Sequence, residues 1–270
     1  MSAEGPPQGT RASGGAARSA VRGGPTTPRR IWTLRIAFVA VALVAWEALA
    51  ASGLLFRDVV PSLAAIGGAV ARMLGSPDFY ANLAVTAQEI GIAVVIGGLA
   101  GLATGILLGG NRFLSQAFES LLLYLGPTPK IIFFPVMIMW FGVGSGSKIA
   151  MGVASRFFPI AISTAAGMRQ IDAVLIRVGR SFRASPWQMI RCIYLPAMRE
   201  PIVTGLRLGL GVAIIGTLLA ETKLSNRGLG YLVIQAYALF DMPRMYALLI
   251  LLFVLAIGVN ALIGRLSQRQ

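Results

Sequence analysis

Residues 168–200 read MRQIDAVLIRVGRSFRASPWQMIRCIYLPAMRE. The segment holds Arg169, Arg177, Arg180, Arg183, Arg191 and Arg199 against only Asp172 and Glu200, so it belongs in water. Apolar runs flank it at 148–167 and 201–220, each about as long as the ≈ 20 helical residues that cross a hydrocarbon core of about 30 Å. A polar segment strung between two such runs sets the fold class. The chain reads as an all-α, polytopic membrane protein that presents one sizeable element to the aqueous phase.

Inside this segment Ile171, Val174, Leu175, Val178 and Phe182 fall at the spacing of one apolar helix stripe. Arg177, Arg180 and Arg183 lie on a different face. Farther on, Ser185 is placed to cap a helix, Pro186 suits its first position, and Gln188 is spaced to reach back as a capping box. Two short helices joined by a sharp turn are predicted. A folded polar element that keeps an apolar stripe reads as a docking surface rather than as a solvated linker.

Composition agrees with a membrane protein: 56% of residues are hydrophobic and 13% charged, with a mean hydropathy of +0.74, where soluble domains carry about 25% charged residues. The net charge of +14 does not argue for nucleic acid, because the basic residues cluster between apolar runs as membrane orientation alone requires. The 270 residues suit one polytopic domain. There is no histidine, which removes imidazole bases and most zinc or haem ligation. The single cysteine, Cys192, has no partner for an intramolecular disulfide and reads as a small packing residue.

Residues 1–30 are rich in Gly, Ala, Pro, Ser and Arg and read as a disordered tail. The run 31–56 contains Ala48-Leu49-Ala50, which has the form of a signal-peptidase site. It exceeds the roughly 7–15 residues of a secretory apolar region, so it is taken as an uncleaved first span. Five more runs, 84–109, 121–142, 148–167, 201–220 and 244–264, complete six spans over a membrane domain of 31–270. The shorter 61–74 reads as a surface helix. Arg11, Arg18, Arg22, Arg29, Arg30, Arg112, the six arginines of 168–200, Arg265 and Arg269 share one side, which the positive-inside rule assigns to the cytoplasm with both termini.

Gly97, Gly101, Gly105 and Gly109 occur at every fourth position of the second run, and Gly205 and Gly209 repeat the spacing in the fifth. Such stripes let helices approach closely, within one subunit or between two. The third run is interrupted by Gly126-Pro127-Thr128-Pro129 and again at Pro135. Breaks of this kind survive in a membrane only where protein or a water-filled path satisfies the freed carbonyls. Lys130 and Arg156 are read as the ionisable groups deepest in spans three and four, and no deeply placed carboxylate pair is legible. Gly142-Val143-Gly144-Ser145-Gly146-Ser147-Lys148 fails the spacing of a phosphate-binding loop and reads as a tight turn, so no nucleotide site is legible.

Trp187-Gln188, Ile193-x-Leu195-Pro196 and Thr204-Gly205-Leu206-Arg207-Leu208 resemble the cytoplasmic loop and following span of permease subunits in ATP-binding-cassette importers. The likeness is greatest to those for nitrate, sulfonates, taurine and related anions. It runs upstream through Trp46-Glu47, Pro61-Ser62, Pro135, Trp140-Phe141-Gly142-x-Gly144 and Ser147-Lys148-Ile149-Ala150. Downstream it takes in Ala220-Glu221 and Gly228-Leu229-Gly230-Tyr231. The resemblance implies a type I importer permease fold and a homodimer. It also implies cassette ATPase subunits that supply the ATP and Mg²⁺ site, and a periplasmic or lipid-anchored substrate-binding protein. The coupling loop would then comprise Arg177, Gly179, Arg180, Arg183, Ser185, Pro186, Trp187, Gln188, Ile193, Leu195 and Pro196. Arg156, Ser155, Trp140, Lys130 and Glu221 are the candidates for the translocation path.

One departure stands out. The family's Glu-Ala-Ala-x-x-x-Gly falls on Arg177-Val178-Gly179 and Arg183, so a base replaces the acid and a residue that resists positive φ replaces the turn glycine. A matched acidic ATPase groove, a turn moved to Gly179, or weak coupling would each account for this; the first fits the coherence of Ser185, Pro186, Gln188 and the Ile-x-Leu-Pro end. A stand-alone secondary transporter or channel is the alternative function. A membrane protease with a Ser and Lys dyad has no supporting spacing at Lys130 or Lys148.

Overall fold

A computed structural model of the chain describes residues 28–53 and 59–268, with side chains over 31–53 and 59–261. The tail expected over 1–30 lies outside the described residues except for its last three, whose backbone opens a helix, and Arg11, Arg18, Arg22 and Arg269 lie outside as well. Among the described residues the structure is helical without strands.

Contacts divide the chain into Met1–Trp46 and Glu47–Gln270. The first unit is described through most of α1 (Pro28–Ser52). This helix is apolar on all sides, with Leu34, Ile36, Phe38, Val41 and Val44 exposed, as a lipid-facing span requires.

In the second unit Glu47, near the end of α1, accepts the Leu63 amide at 2.9 Å. Ser62 Oγ accepts from Ala65 N at 3.3 Å, and together they start α2 (Leu63–Leu74). The expected helix at 61–74 is thus present, but its Ile66, Ala69 and Met73 are buried. Next come α3 (Pro77–Gly110) and α4 (Arg112–Leu125), then a 3₁₀ turn Lys130–Phe133 leading into α5 (Phe134–Phe141), and α6 (Ser145–Arg169). A polar hairpin follows, made of α7 (Ala173–Ser181), α8 (Pro186–Met189), a π-turn Ile190–Tyr194 and α9 (Leu195–Ala197). The chain closes with α10 (Arg199–Lys223), α11 (Leu229–Ala238) and α12 (Met242–Gln268).

Five helices are long and apolar enough to span a membrane, and six spans result if the bent pair Arg112–Leu125 and Lys130–Phe141 counts as one. Those halves meet at 94°, because Pro127 and Pro129 withhold amide donors where the helix would continue. Pro135 is not a second break. It sits in the first turn of α5, where a helix needs no N–H from it. The second span begins at Pro77, earlier than its apolar run; at 34 residues and ≈ 1.5 Å per residue, α3 is longer than the hydrocarbon is thick.

The bundle is built around α6, 44% of whose apolar window is buried against 33% for α10 and 22% for α3. The glycine stripe of α3 faces α6. A Cβ on Gly105 would stand 2.4 Å from Thr164 Cβ, and one on Gly109 2.3 Å from Met168 Cβ. Gly205 and Gly209 of α10 face Ser163, Ile160 and Arg156 of the same helix. Between membrane helices, where lipid is as apolar as leucine, such close backbone approach supplies the packing attraction that hydrophobicity does not. A second core joins α2, α3, α11 and α12 through Ala69, Met73, Phe79, Leu229, Leu232, Ala236, Ala247 and Leu248.

Candidate functional site

The polar hairpin is assembled from local signals. Asp172 Oδ1 accepts from Val174 N at 2.8 Å and starts α7. At the other end of α7, Ala184 N donates to Gly179 O at 3.0 Å and Arg183 N to Arg180 O at 2.9 Å. These two bonds are the pattern of a Schellman turn, whose left-handed position is usually glycine. Here Arg183 holds it, at φ 54°. The turn has therefore not moved to Gly179, which lies buried in α7, where a Cβ would meet Ile193 Cδ1 at 2.3 Å and Met189 Sδ at 2.6 Å.

The return arm opens with the expected capping box: Ser185 N donates to Gln188 Oε1 at 2.8 Å and Gln188 N to Ser185 Oγ at 3.3 Å, with Pro186 in the first turn. Leu195 N donates to Ile190 O, five residues back. This π-spacing stands directly before Pro196, which has no amide and whose ring crowds the preceding turn of a regular α-helix. At the hairpin's base Met198 is fully buried, and a Cβ on Gly167 of α6 would lie 2.8 Å from Pro201 of α10. The hairpin is thus clamped between the ends of two spans. Arg169 adds an ion pair to Glu119 of α4 at 2.5 Å, a contact with no sequence signal because the partners lie 50 residues apart.

With Gly179 turned inward, the stripe of Val174, Leu175 and Val178 faces outward along with Phe182 and Trp187. Arg177, Arg180 and Arg191 are exposed on the same element. Cys192, read as a packing residue, is exposed.

The five path candidates do not form one cluster. Trp140 is 76% exposed on α5. Lys130 donates to the carbonyls of Leu125, Gly126 and Thr128 at 3.5, 2.5 and 3.2 Å and lies 4.8 Å above the Phe158 ring, so it closes the bend of the third span. Arg156 and Ser155 are buried on α6. The Arg156 side chain runs past Gly97 and Gly98 of α3 and Gly209 of α10, is 4% exposed, and its buried Nε and Nη1 have no hydrogen-bond partner. The nearby Pro159 lacks the amide that would pair the Ser155 carbonyl.

Glu221 belongs to a different assembly. Thr86 Oγ1 donates to its Oε1 at 2.7 Å and Gly230 N to its Oε2 at 2.6 Å. Leu229 N donates to Thr86 Oγ1 at 2.8 Å and Gly228 N to Asn82 Oδ1 at 2.8 Å. Glu89 interacts with Glu221, Ser145 and Lys148, and Lys148 also donates to the carbonyls of Val143 and Gly144. Glu89, Lys148 and Glu221 are at most 2% exposed. A deeply placed carboxylate pair therefore exists where sequence reading finds none. Glu89, the one carboxylate of its apolar run, is the signal that points to it.

No group of three or more metal-ligating side chains occurs among the described residues. Residues 93–270 match the family model described as "Binding-protein-dependent transport system inner membrane component". The putative aliphatic sulfonates transport permease protein SsuC of Bacillus subtilis (strain 168) is 28% identical over 249 residues, 92% of this chain and 87% of that protein. The taurine transport system permease protein TauC of Escherichia coli (strain K12) is 30% identical over 246 residues, 87% and 89% of the two chains. An inward-facing MetNI methionine ABC transporter superposes at a TM-score of 0.62 and 20% identity over 70% of this chain and 94% of that one, a likeness of fold.

Proposed function

This chain belongs to the family of binding-protein-dependent transport system inner membrane components, the membrane permeases of ATP-binding-cassette importers, and we accordingly propose that it lines the inward path of a small organic or inorganic anion. The observation that carries the anion reading is Arg156, a cation buried at the meeting of α3, α6 and α10 with two nitrogens unpartnered. Ionisable groups at such depth mark substrate paths, because their desolvation is costly unless a ligand or cavity compensates. The relatives SsuC and TauC are named for aliphatic sulfonates and taurine, which share an anionic sulfonate group, joined in taurine by an ammonium.

Two copies of the chain form the path in this reading. A separate ATPase subunit, which carries the ATP and Mg²⁺ site, docks at each polar hairpin, and a soluble binding protein delivers cargo from outside. The concentration of arginine in the hairpin supports a cytoplasmic position for it and for both termini. Coupling follows from its base. Force applied to the hairpin passes at Gly167, Met198 and Pro201 into α6 and α10, the helices that hold Arg156, so ATPase closure rocks the walls of the site.

The test is uptake of ethanesulfonate, nitrate and a neutral solute by proteoliposomes containing the purified permease, its co-encoded ATPase and its binding protein. ATP-dependent accumulation of an anion supports the proposal, and accumulation of the neutral solute alone rejects the anion reading. The Glu89 and Glu221 pair favours one other reading, a stand-alone secondary carrier, since such proteins use intramembrane carboxylates for ion coupling. Both Glu221 oxygens are engaged by Thr86 and Gly230, which supports a structural role instead. Uptake by the permease without any ATPase would restore the carrier reading.

A further inference from the structure

Residues 173–198 contain Arg177, Arg180, Arg183 and Arg191 and no carboxylate. All four are exposed, and none takes an ion-pair partner among the described residues. On the same hairpin, Phe182 and Trp187 are 82% and 67% exposed, and Val174, Leu175 and Val178 about half exposed. The rotation of α7 accompanies this arrangement: Gly179 faces Ile193 and Met189, the apolar stripe points outward, and Arg177 and Arg180 are exposed on a different face of the same helix. The Schellman turn at Arg183 and the capping box at Ser185 hold the shape without a partner.

We infer that this hairpin is received by a groove with an apolar floor and acidic walls on the cassette ATPase, an inference that rests on the proposed function above. A protruding hairpin with aromatic side chains around its turn is matched by a concave protein surface better than by the plane of an anionic bilayer. Unpaired cations beside an apolar anchor call for carboxylates opposite them, since complementary charge sets register and like charge rejects wrong partners. An ATPase whose groove is basic is repelled by this hairpin, so the pairing is selective.

The full-length tagged permease is purified with the cassette ATPase that accompanies it and placed in nanodiscs of zwitterionic phosphatidylcholine, and ATPase retention is measured as salt is raised. Retention by the native chain falls with salt. R177E/R180E lowers it roughly tenfold, the size expected for reversing two interfacial charges. R177K/R180K keeps retention near native, R177Q/R180Q is intermediate, and lysine in place of two groove carboxylates of the ATPase restores binding to R177E/R180E. Native-level retention by R177E/R180E overturns the inference. So does a loss seen only in nanodiscs containing anionic lipid, which would make headgroups the ligand. If the native permease retains no cassette ATPase, the proposed function itself fails, a result distinct from retention that ignores charge. The lysine variant separates a charge effect from misfolding.

Discussion

Thr86 Oγ1 donates to Glu221 Oε1 at 2.7 Å across 135 residues of sequence, and the same hydroxyl accepts the amide of Leu229 at 2.8 Å. One threonine therefore ties α3 to the end of α10 and the start of α11, and the direction of both bonds follows from its having a single proton to give.

Thr86→Val leaves the Leu229 amide and one Glu221 oxygen unsatisfied in a buried site. The expected cost is about 2–6 kcal/mol, since each of the two orphaned buried groups costs about 1–3 kcal/mol. Thr86→Ser, which keeps the hydroxyl, loses much less. Thermal unfolding of the purified chain in detergent distinguishes the two, and equal midpoints for the two variants would exclude the bonding pattern.

Arg183 occupies a left-handed position that costs an L-residue other than glycine or asparagine about 1–2 kcal/mol. Arg183→Gly stabilises the hairpin by up to about 1 kcal/mol, once glycine's larger unfolded-state entropy is subtracted. Arg183→Val destabilises it, because a β-branched side chain tolerates this conformation least. Amide exchange at Ala184 and Arg183 reads the effect directly. Slower exchange in the glycine variant is expected, and faster exchange would contradict the Schellman turn.

Gly105→Ala forces a methyl to within 2.4 Å of Thr164 Cβ, whereas Gly91→Ala meets nothing within 4 Å. Overpacking of this kind costs about 1–3 kcal/mol. The first variant unfolds at lower temperature and the second does not, and a matching loss in both would show that α3 and α6 are not in such close contact.

Arg156→Met removes a buried charge with two unpartnered nitrogens while keeping similar side-chain bulk. Replacing an uncompensated buried ion by an apolar group of like volume is neutral or stabilising, by about 1–4 kcal/mol. The cargo-free variant therefore has an unfolding temperature equal to or above that of the native chain, yet transports the anion at least about tenfold more slowly, the loss of one charge-assisted contact. A large drop in stability would mean that the guanidinium is already paired at rest.

Features that depend on a few neighbouring residues are legible in the chain itself. Hydropathy locates the spans, Pro127 and Pro129 mark the bend, and Ser185, Pro186 and Gln188 announce the start of α8. The arginine distribution supplies an orientation. These signals are local because hydrophobic length, capping and missing amides act within a turn or two of helix.

Other features require residues distant in sequence. The stripe from Val174 to Phe182 is readable as one helix face, but only the seat of Gly179 against Ile193 and Met189 turns it outward. Lys148 reads as a turn residue, whereas the fold buries it with Glu89 and Glu221. In a soluble protein an apolar face points to the core. In a membrane both lipid and core are apolar, so the pattern does not say which way a helix faces. Residue order alone therefore specifies which segments cross the membrane and which one meets water, because transfer out of water is a property of each segment. Which polar groups meet inside the bundle is specified only by the folded arrangement, because that depends on close packing between helices far apart in the chain.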